Sequence, residues 1–292
     1  MVPADPVLWR VVSGFFQKLE IHNGVHETPP IDETETMTAK ENRRLDGCIC
    51  VVTGVVGVLG EGVARRFAEE GGTVVGIDRK EHSIGTLALQ ADLADEEQVR
   101  VAYERIHREL GRVDVIYNNA GLIDPEDHSA LDTSYETWQR VLTGNLTTTW
   151  LSCKHGIPFM LRNDPAKGSV INTASFLAGM GSASAQMAFN VARAGVEQLS
   201  RDLGVHLARR GVRVNALVLG PIETPQLKQT FDRIGPEEVS RRFIHMPMGR
   251  FGTVQELAAT AAYLASDDAG FVTASAFPIN GGIPGAFTVA ND

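Results

Sequence analysis

A chain of 292 residues with 43% hydrophobic and 22% charged side chains can bury a full core, in one large domain or two small ones, without disulfide or metal staples. Its formal net charge of −9 excludes a broad nucleic-acid surface, since phosphate neutralisation needs clustered Lys and Arg. Arg43-Arg44 and Arg209-Arg210 read as isolated, solvated pairs.

Residues 1–45 read as an N-terminal arm. Val7, Leu8, Val11, Val12, Phe15, Phe16 and Leu19 recur at helical spacing and predict a short amphipathic helix. From His22 to Asn42 the chain is polar, mostly acidic and aperiodic, with Pro29-Pro30, as in a linker. The arm either docks on a partner subunit or is an upstream extension, with Met37 opening the functional unit. It lacks the basic start and apolar stretch of a signal peptide, and no apolar run in the chain reaches the ~20 residues of a membrane span. No membrane contact and a cytoplasmic setting are therefore expected. Cys48, Cys50 and Cys153 make no disulfide framework and read as small core hydrophobes.

From residue 46 to 292 strand and helix signals alternate. CICVVTG, from Cys48, is a short β-branched run ending at a glycine, and the helix after it sets Val63 and Phe67 on one face. TVVGID and TLALQAD are the second and third strands. The next helix repeats apolar residues at Val99, Tyr103, Ile106 and Leu110 and opens on acids that suit its dipole. VDVIYNNAG, SVINTAS, VRVNALVLG and AFPINGG supply four more strands. Apolar strands separated by helices mean a parallel sheet covered on both faces. The expected class is α/β, a Rossmann-type, doubly wound, parallel seven-stranded sheet whose ligands sit outside the carboxyl ends of the strands. None of the eight histidines falls in a metal-ligand pattern, and no metal is expected.

Between the first strand and helix, Gly54, Gly57 and Gly60 suit a tight turn that brings a pyrophosphate to the amides of a helix N-terminus; the alternative is a tight turn without a ligand. Asp78 closes the second strand, where an acid accepts hydrogen bonds from ribose hydroxyls and repels a 2′-phosphate, favouring NAD over NADP. Arg79 and Lys80 beside it pull the other way, since either can pair with that phosphate. Asp92 either meets the adenine amino group or caps a helix.

These residues resemble the short-chain dehydrogenase/reductase family from about Leu45 to Phe287. The resemblance rests on the glycine loop, Asp92-Leu93, Asn118-Asn119-Ala120-Gly121, Asn145, Ser175, Gly220-Pro221-Ile222-Glu223-Thr224, the stretch from Met246 to Gly252 with Glu256, Leu264–Asp268, and Asn280-Gly281-Gly282. It implies an NAD(P)(H) fold in a homodimer or homotetramer. The implied cofactor-binding residues are Gly54, Gly57, Leu59, Gly60, Asp78, Arg79, Asp92, Leu93, Asn119, Ala120, Gly121, Arg193, Pro221, Ile222 and Thr224. The family's loop pattern would put its middle glycine at Val58; a β-branched residue there is expected to crowd the phosphates or reshape the loop.

The family's chemistry uses Ser, Tyr and Lys with a supporting Asn. Ser175 and Asn145 match, but the tyrosine position is Phe189 and the lysine position Arg193. Phenylalanine has no proton to give, and arginine stays cationic without titrating. Losing the acid/base step removes roughly 10²–10⁴-fold from a reaction that needs it. Tyr117, Tyr135, His155 and Gln186 are the candidate substitutes, and a structural role fits each better. Within the lid segment, about 223–250, Phe231, Ile234, Phe243, Ile244, Met246 and Met248 either line an apolar pocket or pack the lid down.

Three functions stay open. The first is an NAD(H)-dependent oxidoreductase acting on a carbonyl, alcohol or quinone-like small molecule without the tyrosine. The second is a redox-neutral enzyme in the same cleft, and the third a non-catalytic subunit pairing with an active relative.

Overall fold

The computed structural model describes residues 43–181, 186–235, 237 and 245–286. The readings made of residues 1–42, and of Phe243 and Ile244, lie outside them.

Seven strands form one sheet in the order β3-β2-β1-β4-β5-β6-β7, every pair parallel. They are β1 (Ile49–Thr53), β2 (Thr73–Asp78), β3 (Leu87–Gln90), β4 (Val115–Asn118), β5 (Gly168–Ser175), β6 (Val212–Leu219) and β7 (Ala276–Ile279). The central strands β1, β4 and β5 are buried at every residue, which is why their sequences run continuously apolar instead of alternating. The chain steps outward from β1 to β2 and β3, then returns to the other side of β1 as β4. The reversal leaves a crevice beyond the carboxyl ends of β1 and β4, the place where open α/β sheets bind ligands.

On one face lie α1 (Val58–Glu69) and, from the far end of the chain, α7 (Val254–Ala265). Val63, Phe67, Leu257, Ala261 and Leu264 share a core there with Val52, Tyr117 and Ile171. On the other face α2 (Glu96–Leu110) and α4 (Thr148–Met160) cover β1, β2 and β4 through Val99, Tyr103, Ile106, Leu151 and Ile157. Beside them α5 (Met187–Leu207) sets Val196 against Ala174, Ala216 and Val218. Two further helices among the described residues are α3 (Tyr135–Leu142) and α6 (Pro225–Ile234).

Two readings at the start of the fold need correction. Leu45, placed in the arm by composition, is fully buried and donates its N–H to Glu70 O. Arg44 is not a solvated charge: with Arg66 it clamps the buried Glu70 carboxylate, through Nε at 2.6 Å from Oε2, while Arg66 Nε stands 2.7 Å from Oε1. Arg43, its neighbour, makes an exposed pair with Asp46.

Burial pushes the Glu70 carboxyl up, but hydrogen bonds and charge from Arg44 and Arg66 outweigh that and hold it below the usual value. The clamp therefore stabilises the fold above the unfolded carboxylate range and stops doing so as pH falls through the folded value. Glu70→Gln is expected to lower stability at neutral pH by about 1–2 kcal/mol, less than a fully buried pair because both guanidiniums keep contact with water. Urea melts of the two proteins should converge below roughly pH 4.

Candidate active site

The crevice begins at the loop after β1. Gly54 sits at φ +64°, and a Cβ there would stand 2.8 Å from the Ala120 Cα, so both backbone conformation and space require glycine. A Cβ on Gly60 would run into the Gly54 carbonyl oxygen. Gly57 is different: its φ is −72° and its nearest neighbour is 3.4 Å away. It is the N-cap of α1 and supplies no side chain, leaving the first-turn amides without a side-chain cap. Uncapped amides and the helix dipole together suit an anion.

Val58 stands at the opening of this helix. As the first residue of α1 it is 46% exposed. Its side chain lines an open groove of about 390 Å³ together with Glu61, Arg65, Glu223 and Thr253.

Asp78 closes β2 at the rim of this loop. Its Oδ2 accepts the Val56 N–H at 3.1 Å and its Oδ1 the Lys80 N–H at 3.0 Å. Arg79 is exposed, and its carbonyl accepts from Gln90 Nε2. Asp92 is exposed and accepts the Ala94 N–H. The helix-capping alternative for it is overturned, because Asp95 caps α2 by accepting from the Glu97 and Gln98 amides. Leu93 is buried in the core beneath α2, and Leu59 packs at the edge of the core on the other face.

The Asn-Asn-Ala-Gly turn after β4 is tied to the glycine loop. Asn119 Nδ2 donates to Gly54 O at 3.1 Å, and the amides of Asn119 and Ala120 both donate to Thr53 Oγ1. Asn118 points inward and donates to Asn172 Oδ1 at 2.8 Å. Gly121 makes room: a Cβ on it would collide with Arg193 Nη2 and stand 3.0 Å from Asn145 Oδ1.

Asn145, Ser175, Phe189 and Arg193 come from a π-helical turn (Thr143–Thr147), the end of β5 and α5. Asn145 is fully buried; Oδ1 accepts the Leu122 N–H, and Nδ2 donates to the Leu122 and Val141 carbonyls. Its side chain braces backbone and has no donor left over. Ser175 Oγ accepts the Leu177 N–H at 3.3 Å, which leaves its own O–H available. Arg193 is 5% exposed, donates from Nη1 to the Thr173 carbonyl at 2.6 Å, and holds its guanidinium 5.2 Å from the centre of the Phe189 ring. Its Nε is buried without a partner, as are Tyr117 Oη and Thr173 Oγ1. Burial lowers its pKa to about 10, with Tyr117 opposing slightly, so it is cationic at neutral pH.

Of the other candidate proton donors, Tyr117 couples electrostatically to Arg193. Tyr117 is fully buried against Phe67, its phenol pushed up to about 12 by burial; Tyr135 is exposed on α3, and His155 meets Glu96. Gln186 leads into α5 at φ 143°. One residue escaped sequence reasoning: Asp127, whose carboxylate accepts the amides of Ala188 and Phe189 from 61 and 62 residues away. A local pattern carries no signal for a cap supplied across that distance.

The loop after β6 borders the crevice on its far side. Pro221 O accepts the Gly252 N–H, Ile222 is buried in a bridge to Gly252, and Thr224 Oγ1 caps α6 through the Leu227 amide. Phe231 packs edge-on against Phe251 at 5.0 Å. Met246, buried, and Met248, 60% exposed, line a second cavity of about 250 Å³ with Ile222 and Ile279. Packing and pocket-lining thus both occur in the lid segment. No group of three or more His, Cys, Asp or Glu among the described residues is arranged to hold a metal, and none of the described helices is long and apolar enough to cross a membrane.

Residues 54–284 match the family model described as enoyl-(acyl carrier protein) reductase. The chain is 29% identical over 252 residues to the 3-oxoacyl-[acyl-carrier-protein] reductase of Thermotoga maritima, covering 82% of this chain and 99% of that protein. It is 32% identical to the cis-4-hydroxycyclohexanecarboxylate dehydrogenase of Sinomonas cyclohexanicum, covering 80% and 95%. Its fold superposes with a TM-score of 0.77 and 31% identity on a Burkholderia xenovorans structure described as a short-chain dehydrogenase/reductase, covering 83% of this chain and 98% of that one.

Proposed function

Because the chain belongs to the short-chain dehydrogenase/reductase family of oxidoreductases, we propose that it is an NAD(H)-dependent member acting on a carbonyl, alcohol or quinone-like small molecule, with Phe189 and Arg193 in the positions of the family's tyrosine and lysine. The observation that carries the cofactor half of this reading is the uncapped N-terminus of α1, set between the Asp78 carboxylate and the Asn119 turn. The cradle fits a dinucleotide: the first-turn amides of α1 would take the pyrophosphate, Asp78 the adenosine ribose, and the Ile222–Thr224 loop the nicotinamide end. When bound, the cofactor supplies a hydride acceptor or donor.

What the chain's own residues add differs from the usual set. Ser175 offers an O–H to a substrate oxygen. Arg193 offers fixed positive charge, which stabilises a developing oxyanion without moving a proton. Phe189, half-buried, puts a ring with no proton to give where a phenol would stand. Substrates that need little acid catalysis, such as quinones or activated enones, suit this arrangement.

Calorimetry with NAD(H) and NADP(H) tests the reading. NAD(H) is expected to bind more tightly than NADP(H), because Asp78 repels a 2′-phosphate. Val58→Gly, which clears the groove beside α1, is expected to tighten NAD(H) by roughly tenfold, about 1.4 kcal/mol. Failure of the wild type to bind either nucleotide would overturn the proposal.

A second reading draws on the charge of Arg193, which enters no ion pair among the described residues. Together with Ser175 it suits a redox-neutral reaction through an oxyanion. Turnover by protein stripped of nucleotide would favour it.

A further inference from the structure

The helix turn that carries Phe189 is held from outside its own segment. The first amides of a helix have no partner within it, and a Ser, Thr, Asp or Asn at the N-cap normally answers them. Gln186, the N-cap of α5, makes no such bond. Asp127 does it instead, from the loop between β4 and α3. Its Oδ1 accepts the Ala188 N–H and its Oδ2 the Phe189 N–H, both at 2.9 Å. The neighbouring His128 carbonyl accepts the Met187 N–H at 3.2 Å and the Gln186 N–H at 3.4 Å. Four successive amides are thereby satisfied by two adjacent residues of another loop.

That loop is itself fixed. Asp127 is 2% exposed, and its amide donates to Asp124 O. Asp124 pairs with Arg140 of α3 at 2.7 Å and accepts the Glu126 amide at 3.0 Å. The His128 amide donates to Thr133 Oγ1 at 2.9 Å. A buried carboxylate with two amide donors on a pinned loop leaves the first turn of α5 little freedom.

We propose that Asp127 is a positioning residue for the site: it sets the first turn of α5 and so fixes where the Phe189 ring lies over the Arg193 guanidinium. There is an electrostatic consequence too. A carboxylate on the N-terminus of α5 cancels the positive end of its dipole. The N-terminus of α5 is thereby closed to anions, whereas that of α1 has no side-chain cap.

The test compares Asp127→Ala and Asp127→Asn with the wild type by amide hydrogen exchange, by AMP binding and by the fluorescence of bound NADH. In Asp127→Ala the Ala188 and Phe189 amides are expected to exchange about tenfold faster, with no matching change at Val196. The NADH enhancement, which reads the nicotinamide end, should fall, while AMP affinity, which reads the adenosine end, stays within about twofold. Asp127→Asn, keeping one acceptor oxygen, should recover much of both losses. Unchanged exchange at Ala188 and Phe189 overturns the proposal. So does a parallel fall in AMP affinity, which would make Asp127 a general support of the domain. The functional readout rests on the cofactor reading above; if the wild type itself gives no NADH signal, that reading fails and the exchange data alone decide the role of Asp127.

Discussion

Phe189→Tyr combined with Arg193→Lys is expected to raise NADH-linked turnover of an ordinary ketone by about 10²–10⁴-fold over the wild type, the range a positioned acid contributes. Positions 189 and 193 are four apart on α5, hence on one helix face, and the Arg193 guanidinium already lies 5.2 Å from the ring at 189. A phenol at 189 would be within reach of a cation from the moment it is installed, and nearby positive charge lowers its pKa. The lysine matters for a second reason. Arg193 is drawn toward the Thr173 carbonyl, whereas a lysine ammonium is compact and rotates its donors freely. Phe189→Tyr alone should therefore recover only part of the gain. The double variant should also acquire an ionisation between about pH 7 and 10 in its rate profile. Quinone or enone reduction, which needs little proton donation, should change far less. A double variant that folds, binds NADH and still fails to reduce any ketone faster than the wild type would sink the assignment of these positions.

The sheet was legible because its evidence is local. Each of the seven strands is a short apolar run stopped by glycine or polar residues, and parallel burial makes such runs continuous. The pairing of Val63 with Phe67, and of Val99, Tyr103 and Ile106, followed from helical period and holds in the packing. Details at element ends were not legible. The loop's glycine pattern does not say where α1 starts, and only the backbone makes Val58 the first residue of the helix, with its side chain on the groove. Asp92 and Asp95 are equally good capping residues on paper, and only the backbone decides that Asp95 does it. Arg43 and Arg44 are alike in sequence, and the distinction lies in Glu70, 26 residues from Arg44. The same limit hid Asp127. Long-range polar contacts leave no period to read, so the site's residue types were readable while its supports were not.

Gly121→Ala is expected to destabilise the protein by about 2–3 kcal/mol, a cost of overpacking, and Arg193→Lys is expected to relieve much of it. The backbone at Gly121 is not in the left-handed region, so alanine meets no conformational penalty and the effect isolates sterics. The added Cβ would collide with Arg193 Nη2 and stand 3.0 Å from Asn145 Oδ1. The end of a long side chain can usually swing away, but this one is buried and anchored through Nη1 to Thr173 O. Moving it would break that bond and cost the buried guanidinium a hydrogen bond, when its Nε already lacks a partner. A lysine at 193 has no Nη2 to collide, so the double variant should be more stable than additive losses predict, by about 1–2 kcal/mol. Relief should be incomplete, because Asn145 is held by three hydrogen bonds and cannot retreat. Urea denaturation of the four proteins measures the coupling, with equal m-values as the condition for comparing them. Strict additivity would mean that Arg193 yields freely, and would remove the reason for treating the guanidinium as a fixed charge in the site.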